Sequence, residues 1–222
     1  ETVNLSLYRL PLQKFAEMTG PNSYDAVQNY RPQSSDLLRD WNVSVLHDLN
    51  QTFLTKVLVA SDVGGALDPG VYYLVLRAPG LADSYQLLVV SGANLTLKTG
   101  INEALIWATD LNSGQPIASL PITLYDENFK QIAEGRTDTK GVFSVPLDSR
   151  PDLWTQLYAV SQGGPDKASF SVGLSDWSSG LDPWDFGVNG QFYPQKYTAY
   201  LYTDRPVYRP GQVVYFKGVL RS

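Results

Sequence analysis

Cysteine is missing altogether from the 222 residues, and disulfide staples, zinc-thiolate sites and cysteine nucleophiles are excluded with it. Histidine occurs once, as His47, so no motif that needs two imidazoles can be present, and a lone strand histidine is a poor metal ligand. Runs of Lys and Arg are absent and the net charge is -5. A phosphate-binding surface needs clustered cations to displace counterions, so nucleic acid is not an expected partner. No stretch approaches the roughly 18 apolar residues that cross a bilayer as a helix. A signal peptide is also missing: Glu1 leads directly into the alternating "VNLSLYRL". Either the protein is intracellular or a leader and upstream region have been removed.

Catalytic signatures are equally scarce. There is no glycine-rich phosphate loop closing on Lys-Ser/Thr, no dinucleotide fingerprint and no Gly-x-Ser-x-Gly elbow. A Ser-His-Asp arrangement would have to recruit His47, with no serine signature to support it. Paired carboxylates could run glycoside hydrolysis unaided. The candidates Asp126 with Glu127, Asp148 with Asp152, and Asp182 with Asp185 all sit at expected turns, where Asp ordinarily caps backbone N–H groups. Neither "DENFK" nor "TDTKG" has the alternate-residue carboxylates of a calcium loop. No catalytic, cofactor-binding or metal-ligating residue is therefore assigned. Four N-x-Ser/Thr sequences, at Asn4, Asn42, Asn50 and Asn94, are as well explained by chance as by glycosylation.

What the chain does have is apolar and aromatic residues that suit a pleated, half-buried surface: 43% hydrophobic, 12% aromatic and 14 tyrosines. The pattern predicts an all-β protein of tandem antiparallel sandwiches, immunoglobulin-like in strand count and spacing, with a partial third domain. In residues 1–93, "TVNLSLYRL", "WNVSVLHD", "FLTKVLVA", "GVYYLVLRA" and "SYQLLVVS" read as strands of a first sandwich. An insertion at about 11–40 interrupts them. Its "PLQKFAEMTG" spaces Leu12, Phe15 and Met18 as a short helix, and the Pro/Asn/Ser-rich remainder reads as an irregular loop. Residues 94–174 hold seven further strands separated by turn residues, with Trp107, Phe143 and Tyr158 as expected core anchors. The short join between the units predicts a stiff chain. Residues 175–196 form an aromatic-rich linker without periodicity, expected to lie against the sandwiches. Residues 197–222 read as one hairpin.

That hairpin carries the most specific pattern. In "YTDRPVYRPGQVVYFKGVLR", Thr203, Asp204, Arg205, Tyr208, Arg209, Pro210, Gly211 and Gln212 stand in order ahead of an alternating strand. Pro206 and Pro210 remove backbone donors, and the Pro210-Gly211 pair suits the centre of a type II turn. Upstream, "DLNSGQP" is followed by "TDTKG". The order of these residues closely resembles macroglobulin domains of the bacterial alpha-2-macroglobulin family. The resemblance covers about residues 94–222 and implies macroglobulin-type sandwiches, the last of them only begun.

It also implies a parent chain that is a broad-spectrum protease inhibitor, closing around a protease after bait cleavage. This chain would then be a non-catalytic structural fragment, partnered by downstream domains of the same parent and, through the parent, by proteases. The location implied is periplasmic, cell-surface or extracellular, with a signal or lipoprotein leader removed. The family's thioester cannot reside in a chain without cysteine. The alternative reading is a cell-surface adhesion or carbohydrate-binding array using Trp177, Trp184, Phe186 and Tyr193 as stacking groups. A third, glycosidase, reading would need two carboxyls facing each other across a cleft about 5–10 Å wide.

Overall fold

In a computed structural model, residues 2–45, 52–148, 150, 152–163, 169–177, 186–187 and 197–221 are described. His47, Asn50, Asp182, Trp184, Asp185 and Tyr193 lie outside them. The chain is built mostly of antiparallel sheet with two short helices.

The first unit contains strands β1 (Thr2–Arg9), β2 (Leu37–Ser44), β3 (Gly70–Arg77) and β4 (Ser84–Val90), in the order β2-β1-β3-β4. Strand alternation sends Leu5, Leu7, Tyr72 and Leu74 to one face of this sheet and Val71, Tyr73 and Val75 to the other. Among the described residues the inner face is covered by helices and by a sheet of the second unit, and the outer face by a loop. Helix α1 (Leu12–Thr19) forms as the spacing predicts and buries Phe15, Ala16 and Met18 on the inner face. The segment read as a loop after it holds a second helix, α2 (Ser23–Asn29), and a 3-10 turn at Ser34–Asp36. Helix α2 buries Val27, and that contact holds seven residues which are too short to be helical unaided.

The outer face is covered by residues 57–67, of which Val57, Val59 and Leu67 pack against it. The strand expected at 53–60 does not form. In its place, Arg39 donates from Nη1 to the carbonyl oxygens of Leu58 (2.7 Å) and Val59 (3.2 Å), pairs with Asp62, and lies over the Trp41 ring at 4.1 Å. A side-chain donor thus satisfies carbonyls that a ladder would have paired.

All seven strands expected in the second unit are present. β5 (Ala93–Thr99), β6 (Glu103–Asp110) and β9 (Val142–Pro146) make one sheet in the order β5-β6-β9. β7 (Pro121–Tyr125), β8 (Gln131–Arg136), β10 (Tyr158–Gln162) and β11 (Phe170–Leu174) make the other, in the order β11-β10-β7-β8. Leu95, Leu97, Ala104, Ile106, Ala108, Ile122, Leu124 and Ala159 fill the space between them. Trp107 is not a core anchor: it is 43% exposed, because Ala104, Ile106 and Ala108 take the inward positions of β6 and the period of two puts Trp107 outside. Phe143 is partly buried against this core.

Tyr158 is fully buried, but in another cluster. On β10 and β11, Tyr158, Val160, Phe170, Val172 and Leu174 face away from the sandwich and pack with α1, α2 and the inner face of β3. One apolar core therefore spans both units. The remaining described strands, β12 (Thr198–Thr203) and β13 (Phe216–Arg221), pair with each other and with no other described strand, and every residue of β12 is exposed.

Candidate functional site

The two motifs of the second unit are turns that meet in space. Asp110 accepts backbone hydrogen bonds from Asn112 (3.1 Å) and Ser113 (2.8 Å), with the Ser113 hydroxyl also at 2.8 Å. Asp138 accepts from the N–H groups of Lys140 (2.8 Å) and Val142 (2.9 Å). These donors, the Ser113 N–H first for Asp110 and the Val142 N–H first for Asp138, hold both carboxyls below the ordinary Asp range. Between the turns, Gly141 has φ of 76°, and its N–H and C=O close onto Asp138 and Ala108. A Cβ there would stand 2.5 Å from the Ala108 oxygen and 3.0 Å from the Pro116 Cβ. Thr137 is buried, donating to the Ile117 carbonyl (2.6 Å) and accepting from the Leu120 N–H (2.9 Å). "DLNSGQP" and "TDTKG" are thus two halves of one joint, which explains their occurring together.

A second joint links the units. The Tyr158 hydroxyl donates to the carbonyl of Ala16 in α1 at 2.9 Å, and burial raises its pKa. Phe129, in the β7–β8 turn, stacks on Tyr125 at 4.3 Å and meets Tyr158 edge-on at 5.8 Å. It does so with φ of 58°, a conformation that L residues adopt at a cost of about 1–2 kcal/mol. The ring contacts hold it there. An open cleft of about 650 Å³ lies beside this joint, lined by Gln13, Glu17, Gly20, Asp25, Glu127 and Phe129 among others. Sequence reasoning missed both the cleft and Phe129, since nothing in "DENFK" marks Phe as the residue in a left-handed conformation.

The aromatic candidates do not assemble into a platform among the described residues. Trp177 meets Phe15 of α1 edge-on at 6.4 Å, so the start of the linker lies on the first unit. Phe186 is 68% exposed.

The carboxylates behave as turn residues. Asp126 accepts from the N–H groups of Asn128 and Lys130 (both 2.9 Å), and Asp152 from those of Trp154 (2.7 Å) and Thr155 (2.8 Å). Glu127 and Asp148 are exposed. No group of three or more His, Asp or Glu among the described residues could hold a metal ion. Arg150 is buried beside Asp126, Asp148 and Leu157 in a smaller cavity. It donates to the Thr155 carbonyl, and its Nη1 has no partner among the described residues.

In the terminal hairpin, the Gln212 N–H reaches the Arg209 carbonyl (3.1 Å) around Pro210 and Gly211, with Gly211 at φ of 84°. This is the type II turn that the sequence predicts. Asp204 accepts from Arg205 Nε (3.1 Å) and from the Tyr208 hydroxyl, so residues of this motif fold onto one another. One face of the hairpin carries Tyr200, Tyr202, Lys217 and Arg221, and the other Leu201, Phe216 and Leu220.

Residues 90–193 match the family model described as the bacterial alpha-2-macroglobulin MG3 domain. An alpha-2-macroglobulin of Xylella fastidiosa (strain 9a5c) is 24% identical over 78% of this chain and 10% of its own length, so the chain spans about a tenth of that relative. Among solved structures, trypsin-activated Escherichia coli alpha-2-macroglobulin superposes with a TM-score of 0.61 and 17% identity, over 99% of this chain and 15% of that one. The native Escherichia coli protein spanning domains NIE-MG1 gives 0.57 and 16%, over 77% and 82%. No helix among the described residues is long and apolar enough to cross a membrane. The matched domain and the curated relatives make this chain similar to bacterial alpha-2-macroglobulins, with which it shares its fold.

Proposed function

We propose that this chain is a non-catalytic structural part of a bacterial alpha-2-macroglobulin-like protease inhibitor, which acts by changing shape around a protease that cleaves it. The match of residues 90–193 to the MG3 domain carries this reading. Three observations support it. The chain is about a tenth of the length of the curated relative; a trypsin-activated state is named for a structural neighbour; and the carboxylates of Asp126, Asp138 and Asp152 are committed to backbone N–H groups. The two units, joined through one core, contribute shape and spacing. The hairpin is the opening of a further domain of the parent, its Leu201, Phe216 and Leu220 face awaiting the rest of that domain's core. A protein meeting foreign proteases works outside the cytoplasm, in the periplasm or beyond.

The test uses the full-length parent with trypsin. Trapping predicts that hydrolysis of a large protein substrate is lost while hydrolysis of a small peptide substrate persists. Full protein hydrolysis in the presence of excess parent would refute the reading. The 222-residue chain alone should inhibit neither. The carbohydrate-binding alternative gains no support from Trp177, which packs on Phe15. Saturable quenching of tryptophan fluorescence by a polysaccharide would revive it.

A further inference from the structure

In the described part of the β2–β3 connection, residues 52–56 form a run of five that is exposed at every position and makes no backbone hydrogen bond. Phe53 and Leu54 are apolar, and Leu54 is fully exposed. The next residues differ sharply: Val57 and Val59 are packed on the outer sheet face, and Arg39 grips the carbonyls of Leu58 and Val59 and the Asp62 carboxylate. An endopeptidase binds its substrate as an extended strand, using backbone groups that are free to pair and side chains that can enter its pockets.

We propose that the peptide bond joining Leu54 to Thr55 is a proteolytic processing site, cut by an endopeptidase with an apolar primary pocket. With Leu54 in that pocket, Thr52 and Phe53 precede the bond and Thr55 and Lys56 follow it, and all five are exposed. Cleavage after Lys56 is disfavoured by the same geometry, because Val57 and Leu58 would have to leave the sheet face and the Arg39 clamp. The step consumes one water, whose OH completes the Leu54 carboxylic acid and whose hydrogen completes the Thr55 amine. The nick leaves the fold standing. β1 and β2 fall on one fragment and β3 on the other, and the β1–β3 ladder from Asn4↔Arg77 to Arg9↔Tyr72 joins the two. The proposal is independent of the trapping mechanism.

The experiment treats the 222-residue protein with a trace of chymotrypsin at neutral pH, maps products by mass spectrometry over time, and repeats the digestion at low urea concentrations. The expected result is a fragment ending at Leu54, formed at a rate within about tenfold of that for a free peptide of the same sequence and independent of urea, as cleavage of an already open segment requires. The two pieces should co-elute on size exclusion and separate only on denaturation. Thr55→Pro should abolish this cut and leave the melting curve unchanged. Absence of a fragment ending at Leu54, or a cut there whose rate rises with urea in step with unfolding, would overturn the proposal. So would separation of the two pieces under native conditions.

Discussion

Replacing Gly141 by Ala tests the joint between the two turn motifs. The residue sits at φ of 76°, where a Cβ costs about 1–2 kcal/mol in backbone strain. That Cβ would also lie 2.5 Å from the Ala108 carbonyl oxygen and 3.2 Å from the Ile117 backbone nitrogen. Both are backbone atoms held by hydrogen bonds, since the Ile117 N–H donates to the Ala108 oxygen (3.0 Å) and the Ala108 N–H to the Gly141 oxygen (2.8 Å). No flexible side chain can yield, so an overpacking cost of about 1–3 kcal/mol adds to the strain. The expected loss is about 2–5 kcal/mol, or roughly 5–15 °C in melting temperature for a protein of this size. Gly114→Ala is the matched control: its φ is 69° and nothing lies within 4 Å of the added carbon, so it should lose only the strain. Thermal and urea unfolding followed by circular dichroism measure both. Equal losses in the two variants would show that the turns do not press on each other at Gly141.

Three further outcomes are expected. Tyr158→Phe removes the 2.9 Å donor to the Ala16 carbonyl and leaves it the Thr19 hydroxyl at 3.5 Å, and it should cost about 1–2 kcal/mol in urea unfolding; an unchanged midpoint would count against that bond. Trp107→Phe should stay within about 0.5 kcal/mol of the parent because the side chain lies outside the core, whereas Ile106→Ala, one position along and fully buried, should lose about 2–5 kcal/mol. The reverse ranking would mean that β6 is out of register. Asp110, Asp138 and Asp152 all have carboxyls lowered by turn hydrogen bonds. Native values below unfolded ones give stability that is fully present above the ordinary Asp range, near pH 4, and is lost as pH falls through the lowered values. Asp138→Asn should therefore flatten the fall of melting temperature below pH 4, and an unaltered slope would refute the assignment.

The strands of the second unit were legible because period-two patterning and turn residues agree at every step from β5 to β11. Trp107 has the size of a core anchor, but register outweighs size, and Ala104, Ile106 and Ala108 mark the inward positions of β6. Two features of the first unit depend on contacts that no local pattern encodes. Helix α2 has one buried residue, Val27, and no side-chain cap, so docking makes it helical. The "FLTKVLVA" segment has strand propensity but no partner strand among the described residues. Propensity of that kind measures fit to a pleated neighbour and fails when the neighbour is missing. The motifs at Asp110 and Asp138 could be seen as a pair, but their contact through Gly141 depends on the pairing of β6 with β9 in one sheet.

The stiffness expected from the short join has a different source, and this leads to a stronger prediction. Tyr158, Val160, Phe170, Val172 and Leu174 cover the face of the second unit that meets the first, and each is at most 8% exposed. Uncovering them forfeits about 1.5–3 kcal/mol apiece, a total on the order of 10 kcal/mol, against the 5–15 kcal/mol by which whole domains are usually stable. Residues 91–177 made without the first unit should therefore fail to fold, despite having all seven strands of a sandwich. In the intact chain, the fluorescence of Trp41 and that of Trp107, each measured with the other four tryptophans replaced, should report the same urea midpoint. A fragment 91–177 that folds with the stability of the parent, or two separated midpoints, would mean that the shared cluster is a loose contact between independent domains.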